Sequence, residues 1–213
     1  MSDATEFYSP GHLATIYPFL NGLPEPEWLL LGGPADANEA QTAREKWPNI
    51  KVIGVDPNPN VIAWQKEHGW PEGQPLHCFA LSDQIGLEPV AKWGEGLRST
   101  QLYCPDPDEP KTFGQVNALP HVPSVTWDYL DLVYGPITNA ILWMDIERSE
   151  YKALQGARGL LERGAILLIN VEEMSSHGGP EPYIGPYLSQ FGFKRVHEWN
   201  ASEYCRDRIY VRG

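Results

Sequence analysis

Short runs of consecutive apolar residues alternate along this chain with stretches in which apolar positions recur at helical spacing. The apolar runs are Glu27–Leu31 (EWLLL), Lys51–Val55 (KVIGV), Leu76–Ala80, Ala140–Met144 (AILWM) and Ala165–Val171 (AILLINV). Runs this short, closed by Gly, Pro or acidic residues, read as strands buried on both faces. Between them, Asp36–Trp47 reads as a helix with Asp36 as N-cap, Glu39 completing a capping box and Pro48 as the stop. Val61–His68 reads as a second helix. Ser149–Arg163 reads as an amphipathic one, with Leu154, Ala157, Leu160 and Leu161 on one face. A last helix is expected over Tyr183–Phe191, ended by Gly192. Gln84–Leu87 looks like a turn before another short strand, and Phe193–Trp199 and Arg208–Arg212 look like paired antiparallel edge strands. Strands alternating with crossover helices predict an α/β fold built on a mostly parallel sheet.

The pattern fails between Gly94 and Pro123. The segment Cys104–Pro110 (CPDPDEP) can be neither helix nor central strand. Residues 94–123 are therefore expected to form an irregular loop over the active-site face. Residues 1–26 are expected to be an N-terminal extension of a single domain spanning 1–213.

Composition narrows the function. With 42% hydrophobic residues in 213, the chain can bury a core of its own and is not of disordered type. The formal net charge of −12, with no Lys/Arg cluster, argues against nucleic acid or an anionic membrane as partner. No apolar run approaches the ~18 residues that read as a membrane span. The start, Met1–Ser9, lacks the basic-then-apolar pattern of a secretory signal. Cys78, Cys104 and Cys205 are far apart and form no CxxC pair, which suggests neither zinc nor a redox motif. A cytoplasmic location and no bound metal are the expectations.

In an open parallel sheet, ligands bind beyond the carboxyl ends of the strands, where the strand order switches. That rule selects Gly32 and Gly33, Asp56, Ser82 and Asp83, Asp145 and Glu147, and Glu172 and Glu173. Gly32-Gly33 followed by a helix, with Asp56 at the next strand end, suits a nucleoside whose ribose hydroxyls the carboxylate accepts. The same residues serve equally as a tight turn and a helix cap. Ser82 and Asp83 could reach an adenine amino group or cap a turn. Asp145 closes a very apolar strand beside Trp143, a costly place for a carboxylate without a role. Glu147 and Glu150 lie at a helix start, where capping competes with function. His177, in the loop after the fifth strand, is the histidine best placed to act as a general base; a solvated loop residue is the rival reading.

At these residues the chain resembles the FkbM-type family of S-adenosylmethionine-dependent methyltransferases. Trp143-Met144-Asp145-Ile146-Glu147, with Glu150, Leu154, Gly156-Ala157 and Leu160-Leu161, is similar to the family's K-I-D-V-E-G-x-E, L-x-G-A and Leu pair. Val55–Pro59 resembles F-E-P-N-P, Ala80–Asp83 with Gly86 resembles A-L-S-D-x-x-G, and Thr126–Leu130 resembles T-L-D-D-L. The resemblance implies a Rossmann-like class I methyltransferase fold: a seven-stranded, mostly parallel sheet, helices on both faces and an antiparallel last strand. It also implies S-adenosylmethionine held at Gly32 and Gly33, ribose on Asp56, adenine near Ser82 and Asp83, and Asp145 at the junction of cofactor and acceptor.

The chain departs from the family in its first motif, here Leu31-Gly32-Gly33-Pro34, which lacks the initial acid and loses an N–H at Pro34. Arg148 replaces the glycine after the Asp-x-Glu motif. Glu147, Arg148 and Glu172 are the expected acceptor-binding residues. The expected reaction is O-methylation of a small-molecule or sugar hydroxyl, with Asp145 or His177 orienting or deprotonating it. Three alternatives stay open: a nicotinamide-dependent oxidoreductase, a catalytically weakened nucleoside-binding module, and a metal-dependent methyltransferase using Asp145 and Glu172.

Overall fold

A computed structural model describes residues 13–34, 37–92, 101–102, 120–146, 149–174, 183–200 and 205–213. A 3-10 helix, Leu13–Leu20, precedes the first strand. The regular elements then run β1 (Trp28–Gly32), α1 (Asn38–Lys46), β2 (Lys51–Val55), α2 (Pro59–His68), β3 (Leu76–His77), β4 (Ala80–Leu81), β5 (Gly86–Lys92), β6 (Gln101–Leu102), β7 (His121–Val125) and α3 (Trp127–Tyr134). They continue as β8 (Ala140–Met144), α4 (Glu150–Gln155), α5 (Arg158–Glu162), β9 (Ile166–Met174), α6 (Ile184–Ser189), β10 (Phe193–Asn200) and β11 (Cys205–Arg212).

Seven strands form the main sheet in the order β10-β11-β9-β8-β1-β2-β3. β1, β2, β3, β8 and β9 pair in parallel, and β11 lies antiparallel between β9 and β10. This is the Rossmann-like α/β sheet with an antiparallel last strand. The chain leaves β1 toward β2 on one side and later returns to pair β8 on its other side. The switch in strand order therefore falls between β1 and β8. A smaller sheet, β4-β7-β5-β6, stands beside the main one.

The central strands are buried on both faces, as their unbroken apolar runs require. Leu30, Ile53, Leu142 and Ile169 pack with Leu154, Leu160, Leu161, Ile184 and Leu188 from α4, α5 and α6. Leu29, Leu31, Ile141, Trp143 and Leu168 pack on the other face with Ala40 and Ala43 of α1 and with Leu13 and Ile16. The 3-10 helix thus contributes fully buried side chains to the core from within the expected N-terminal extension. No helix of the described residues is long and apolar enough to cross a membrane.

Several elements differ from the sequence reading. The expected third strand divides into β3 and β4, which belong to different sheets. The helix expected over Ser149–Arg163 is divided at Gly156, where the chain passes so close to the carbonyl oxygen of Ser82 that only a residue without a Cβ fits. Asp128 of α3 restarts the helix, its carboxylate accepting the Gly159 and Leu160 N–H groups at 2.8 and 3.0 Å. The N-cap of α1 is Ala37, at φ 63°, without a side-chain cap bond, and not Asp36, which lies outside the described residues. β9 continues to Met174, so Glu172 and Glu173 sit within the strand and not beyond it. Of the expected loop 94–123, residues 121–123 belong to β7, with Pro123 accommodated in a short ladder, and 101–102 form β6; most of the rest lies outside the described residues. β10 is an edge strand, while β11 is interior, paired on both sides.

Candidate active site

The site lies at the switch point, where β1 ends in Gly32-Gly33 and β8 runs into Asp145. Two hydrogen bonds fix this junction: Asp145 N–H donates to the Gly32 carbonyl at 3.0 Å, and Gly33 N–H donates to the Val55 carbonyl at 2.9 Å. Gly33 adopts φ 73°, and a Cβ there would overlap the Asp145 carbonyl oxygen. A Cβ on Gly32 would lie 2.7 Å from a methyl of Leu81 and 3.1 Å from one of Ile146. Gly33 is thus required by the backbone at the turn, while a side chain at Gly32 would have to displace Leu81 and Ile146. The Gly33 N–H is already committed and Pro34 has none, so the turn itself offers few donors to a ligand.

Asp56 closes β2 on the same side of the sheet. It is buried, its N–H donates to the His77 carbonyl at 3.0 Å, and its Oδ1 accepts the Asn58 N–H at 2.7 Å. Asn58 in turn caps α2 through the Asn60 N–H. Burial pushes the Asp56 carboxyl up to about 6, against the lowering effect of the Asn58 N–H, and the charge of Asp145 adds to the rise.

Asp145 is part-exposed as a residue, but its Oδ1 is shut off from solvent and has no hydrogen-bond partner. Its carboxyl is hydrogen-bonded to that of Glu172. Burial, then that bond and the Glu172 charge, hold it well above the ordinary carboxylate range. A hydrogen bond between two carboxyls needs a proton on one of them.

Glu172 faces Asp207 directly across the β9–β11 ladder. Asp207 is buried and pushed up to about 6 by burial and by the Asp145 charge, with a hydrogen bond from Asn170 acting against the rise. Asp207 and Asn170 went unmarked in the sequence. The run Arg206-Asp207-Arg208 reads as an ordinary charged strand end, and only the pairing with Glu172 reveals its inward carboxylate.

Ser82 is fully buried and its hydroxyl serves Glu88 of β5 and Asp83. Glu88 is itself buried and pinned by Lys152 at 3.1 Å. Asp83 is exposed. Glu150 is buried and accepts the Ile146 N–H at 3.2 Å, so it holds the backbone just after Asp145. Glu147, Arg148 and His177 lie outside the described residues. Among the described residues, no group of three or more His, Cys, Asp or Glu side chains stands in a metal-holding arrangement.

A glycine turn and two strand-end acids, Asp56 buried and Asp145 with one enclosed carboxyl oxygen, at the switch of a mostly parallel sheet fit a nucleoside-cofactor protein of the class I methyltransferase fold. Comparison with known proteins makes the assignment narrower. Residues 33–200 match the model of the methyltransferase FkbM domain. The chain belongs to that family, which implies S-adenosylmethionine as its cofactor. Among solved structures it is similar to WbdD, crystallised with the kinase inhibitor LY294002, at TM-score 0.51 and 12% identity over 94% of this chain and 40% of that one. It is also similar to a SAM-dependent methyltransferase from Aquifex aeolicus, at TM-score 0.44 and 11% identity over 94% and 89% of the two chains. The PH0226 protein from Pyrococcus horikoshii OT3 gives TM-score 0.44 and 8% identity over 100% and 94%. The chain spans about two fifths of the length of the WbdD chain. Of these, the likeness to WbdD bears on the fold alone. No curated protein matches the chain.

The residues present suit this cofactor. A ribose diol brings two O–H donors, and Asp56 is a buried carboxyl whose charged neighbour, Asp145, is another acid and not a competing cation. Asp145 adds a buried acceptor atom that has no partner among the described residues.

Proposed function

We propose that this methyltransferase acts on a hydroxyl group of a small molecule, a sugar or a similar polyol, within one domain formed by residues 1–213. S-adenosylmethionine supplies an electrophilic methyl group. The protein's own residues bind, orient and manage the proton. Asp56 holds the ribose, the Gly32-Gly33 turn receives the rest of the nucleoside's amino-acid arm, and the segment Ser82-Asp83 borders the adenine. The Ser82 hydroxyl is engaged with Glu88, so its part in that border falls to the backbone.

Asp145 is the catalytic residue of this reading. The observation that carries it is the unpartnered Oδ1 at the end of β8, a buried acceptor lacking a donor. An acceptor hydroxyl supplies that donor. Its proton passes to the Asp145–Glu172 pair, which already shares one. Proton removal by a positioned base typically contributes ~10²–10⁴-fold to rate. His177 is a second candidate for this role, and Glu147, Arg148 and Glu172 are the candidate acceptor-binding residues.

Asp145→Asn tests the role. It should retain binding of S-adenosylhomocysteine and lose at least ~100-fold in methyl transfer to a hydroxyl acceptor. Full turnover in this variant, with a hydroxyl acceptor, would remove Asp145 from the mechanism. A weaker cofactor grip is the second reading, favoured by one observation: the Gly33 N–H is spent on Val55. Under it the same variant and the wild type would bind S-adenosylhomocysteine equally poorly.

A further inference from the structure

Beside the Asp145–Glu172 pair, the sheet carries two further polar groups, Asn170 and Asp207, for which the proposed methyl transfer has no use. Glu172 and Asp207 face each other across β9 and β11. Asn170 stands two residues before Glu172, hence on the same face of β9. This is the face that carries Ile141, Trp143, Leu168 and Ile209. Asn170 is 1% exposed, and while it donates to Asp207, its Oδ1 has no partner. Asp145 Oδ1 has none either. For Asp56, Asp145 and Asp207, the charged neighbour that acts on each is another acid. The arginines of β11 that flank Asp207 turn the other way, Arg206 and Arg208 both pairing with Glu198. With the acceptor hydroxyl serving Asp145, the Asn170 oxygen still has no donor among the described residues and stands beside the facing acids Glu172 and Asp207; a ligand that brings N–H donors and positive charge matches such a cluster.

We propose that Asp207, Glu172 and Asn170, next to Asp145, form a subsite for a primary ammonium group carried by the methyl acceptor, so that the acceptor is an amino alcohol or amino sugar. This deepens the function proposed above and rests on it. The same ammonium chemistry is present in the amino-acid arm of the cofactor. Strand order favours the acceptor: β9 and β11 lie on the far side of β8 from β2, whose Asp56 takes the ribose. An ammonium there gives an N–H donor to the orphaned Asn170 oxygen, leaves Asp145 Oδ1 to the hydroxyl, and neutralises charge that the acids otherwise hold against one another.

Calorimetric titration separates the two sources. Glucosamine and ethanolamine are titrated into the 213-residue chain with and without saturating S-adenosylhomocysteine, beside glucose and N-acetylglucosamine as uncharged controls. The amines should bind, the controls should not, and Asp207→Asn should weaken amine binding by at least ~10-fold, the range of a lost charge-assisted hydrogen bond. In a second arm, S-adenosylhomocysteine is compared with methylthioadenosine, which lacks the ammonium-bearing arm. The ratio of their affinities should be the same in wild type and Asp207→Asn; a ratio that collapses assigns the subsite to the cofactor and overturns the acceptor. Should Asp207→Asn fail to fold, the wild type still decides. Ethanolamine, whose ammonium stays charged throughout, should bind more tightly as pH rises from about 5 to about 7 and Asp207 loses its proton, while the uncharged sugars stay silent. Amines that bind neither better than glucose nor better at the higher pH overturn the proposal. Failure of S-adenosylhomocysteine alone to bind is a separate result, which strikes the proposed function and leaves the amine arm readable.

Discussion

The carboxyls of Asp145 and Glu172 are hydrogen-bonded across the ends of two parallel neighbours, β8 and β9. Two acids in contact cannot both be ionised at low cost, so the pair keeps a proton. Glu172→Gln removes the neighbouring charge and leaves an amide that can donate to Asp145. The Asp145 carboxyl should then fall toward the ordinary range. Because the basic form is the active one, the acidic limb of the pH–rate profile should move to lower pH. An unmoved limb would show that the titrating base is elsewhere.

Asp56 and Asp207 both sit at about 6 in the folded protein, above their ordinary 3.8. A raised folded-state value means that the native state binds the proton more tightly than the unfolded chain. The resulting stabilisation is complete below about pH 4 and is lost as pH rises through about 6. Each buried acid therefore costs the ligand-free protein on the order of 2–3 kcal/mol at neutral pH. Thermal scans should show Asp56→Asn melting at or above the wild type near pH 8, with the difference vanishing near pH 4. The same substitution should weaken S-adenosylhomocysteine binding. Gain in stability with loss of binding would mark Asp56 as a group kept for its ligand.

Gly33→Ala meets two obstacles at once, a φ of 73° and the Asp145 carbonyl oxygen in the path of the new Cβ. The change should cost roughly 2–4 kcal/mol or prevent folding. Urea denaturation reads this, and a stable Ala variant would mean that the turn has another conformation.

Ser82→Ala leaves the buried Glu88 with Lys152 but without its hydroxyl donor. Losing a hydrogen bond to a buried charged group should cost about 1.5–3 kcal/mol. Affinity for S-adenosylhomocysteine should change less than stability does, since the hydroxyl faces Glu88. A large affinity loss with unchanged stability would put the hydroxyl itself on the adenine.

The central strands were legible because burial on both faces leaves a plain signature: β2 and β8 fall on the expected residues, and β1 is shifted by one. The strand-end rule then located Gly32, Gly33, Asp56 and Asp145 without knowledge of pairing. What escaped was set by tertiary contact. The division at Gly156 lies against the Ser82 carbonyl, 74 positions away in sequence. The restart of the helix depends on Asp128, some thirty residues upstream. Leu13 and Ile16 join the core from a segment with a proline at 18 and no helical capping signal. Asp207 gained its inward position only through register with Glu172, and register between distant strands cannot be read from either strand alone.

The most direct test is calorimetric titration of S-adenosylhomocysteine into the wild type and Asp56→Asn at neutral pH. Saturable one-site binding is expected for the wild type, with affinity lower by about 10–100-fold in the variant, as for a lost hydrogen bond to a carboxylate. No binding by the wild type up to millimolar ligand, or equal affinity in the two proteins, would contradict the account of a nucleoside gripped by the acid that ends β2.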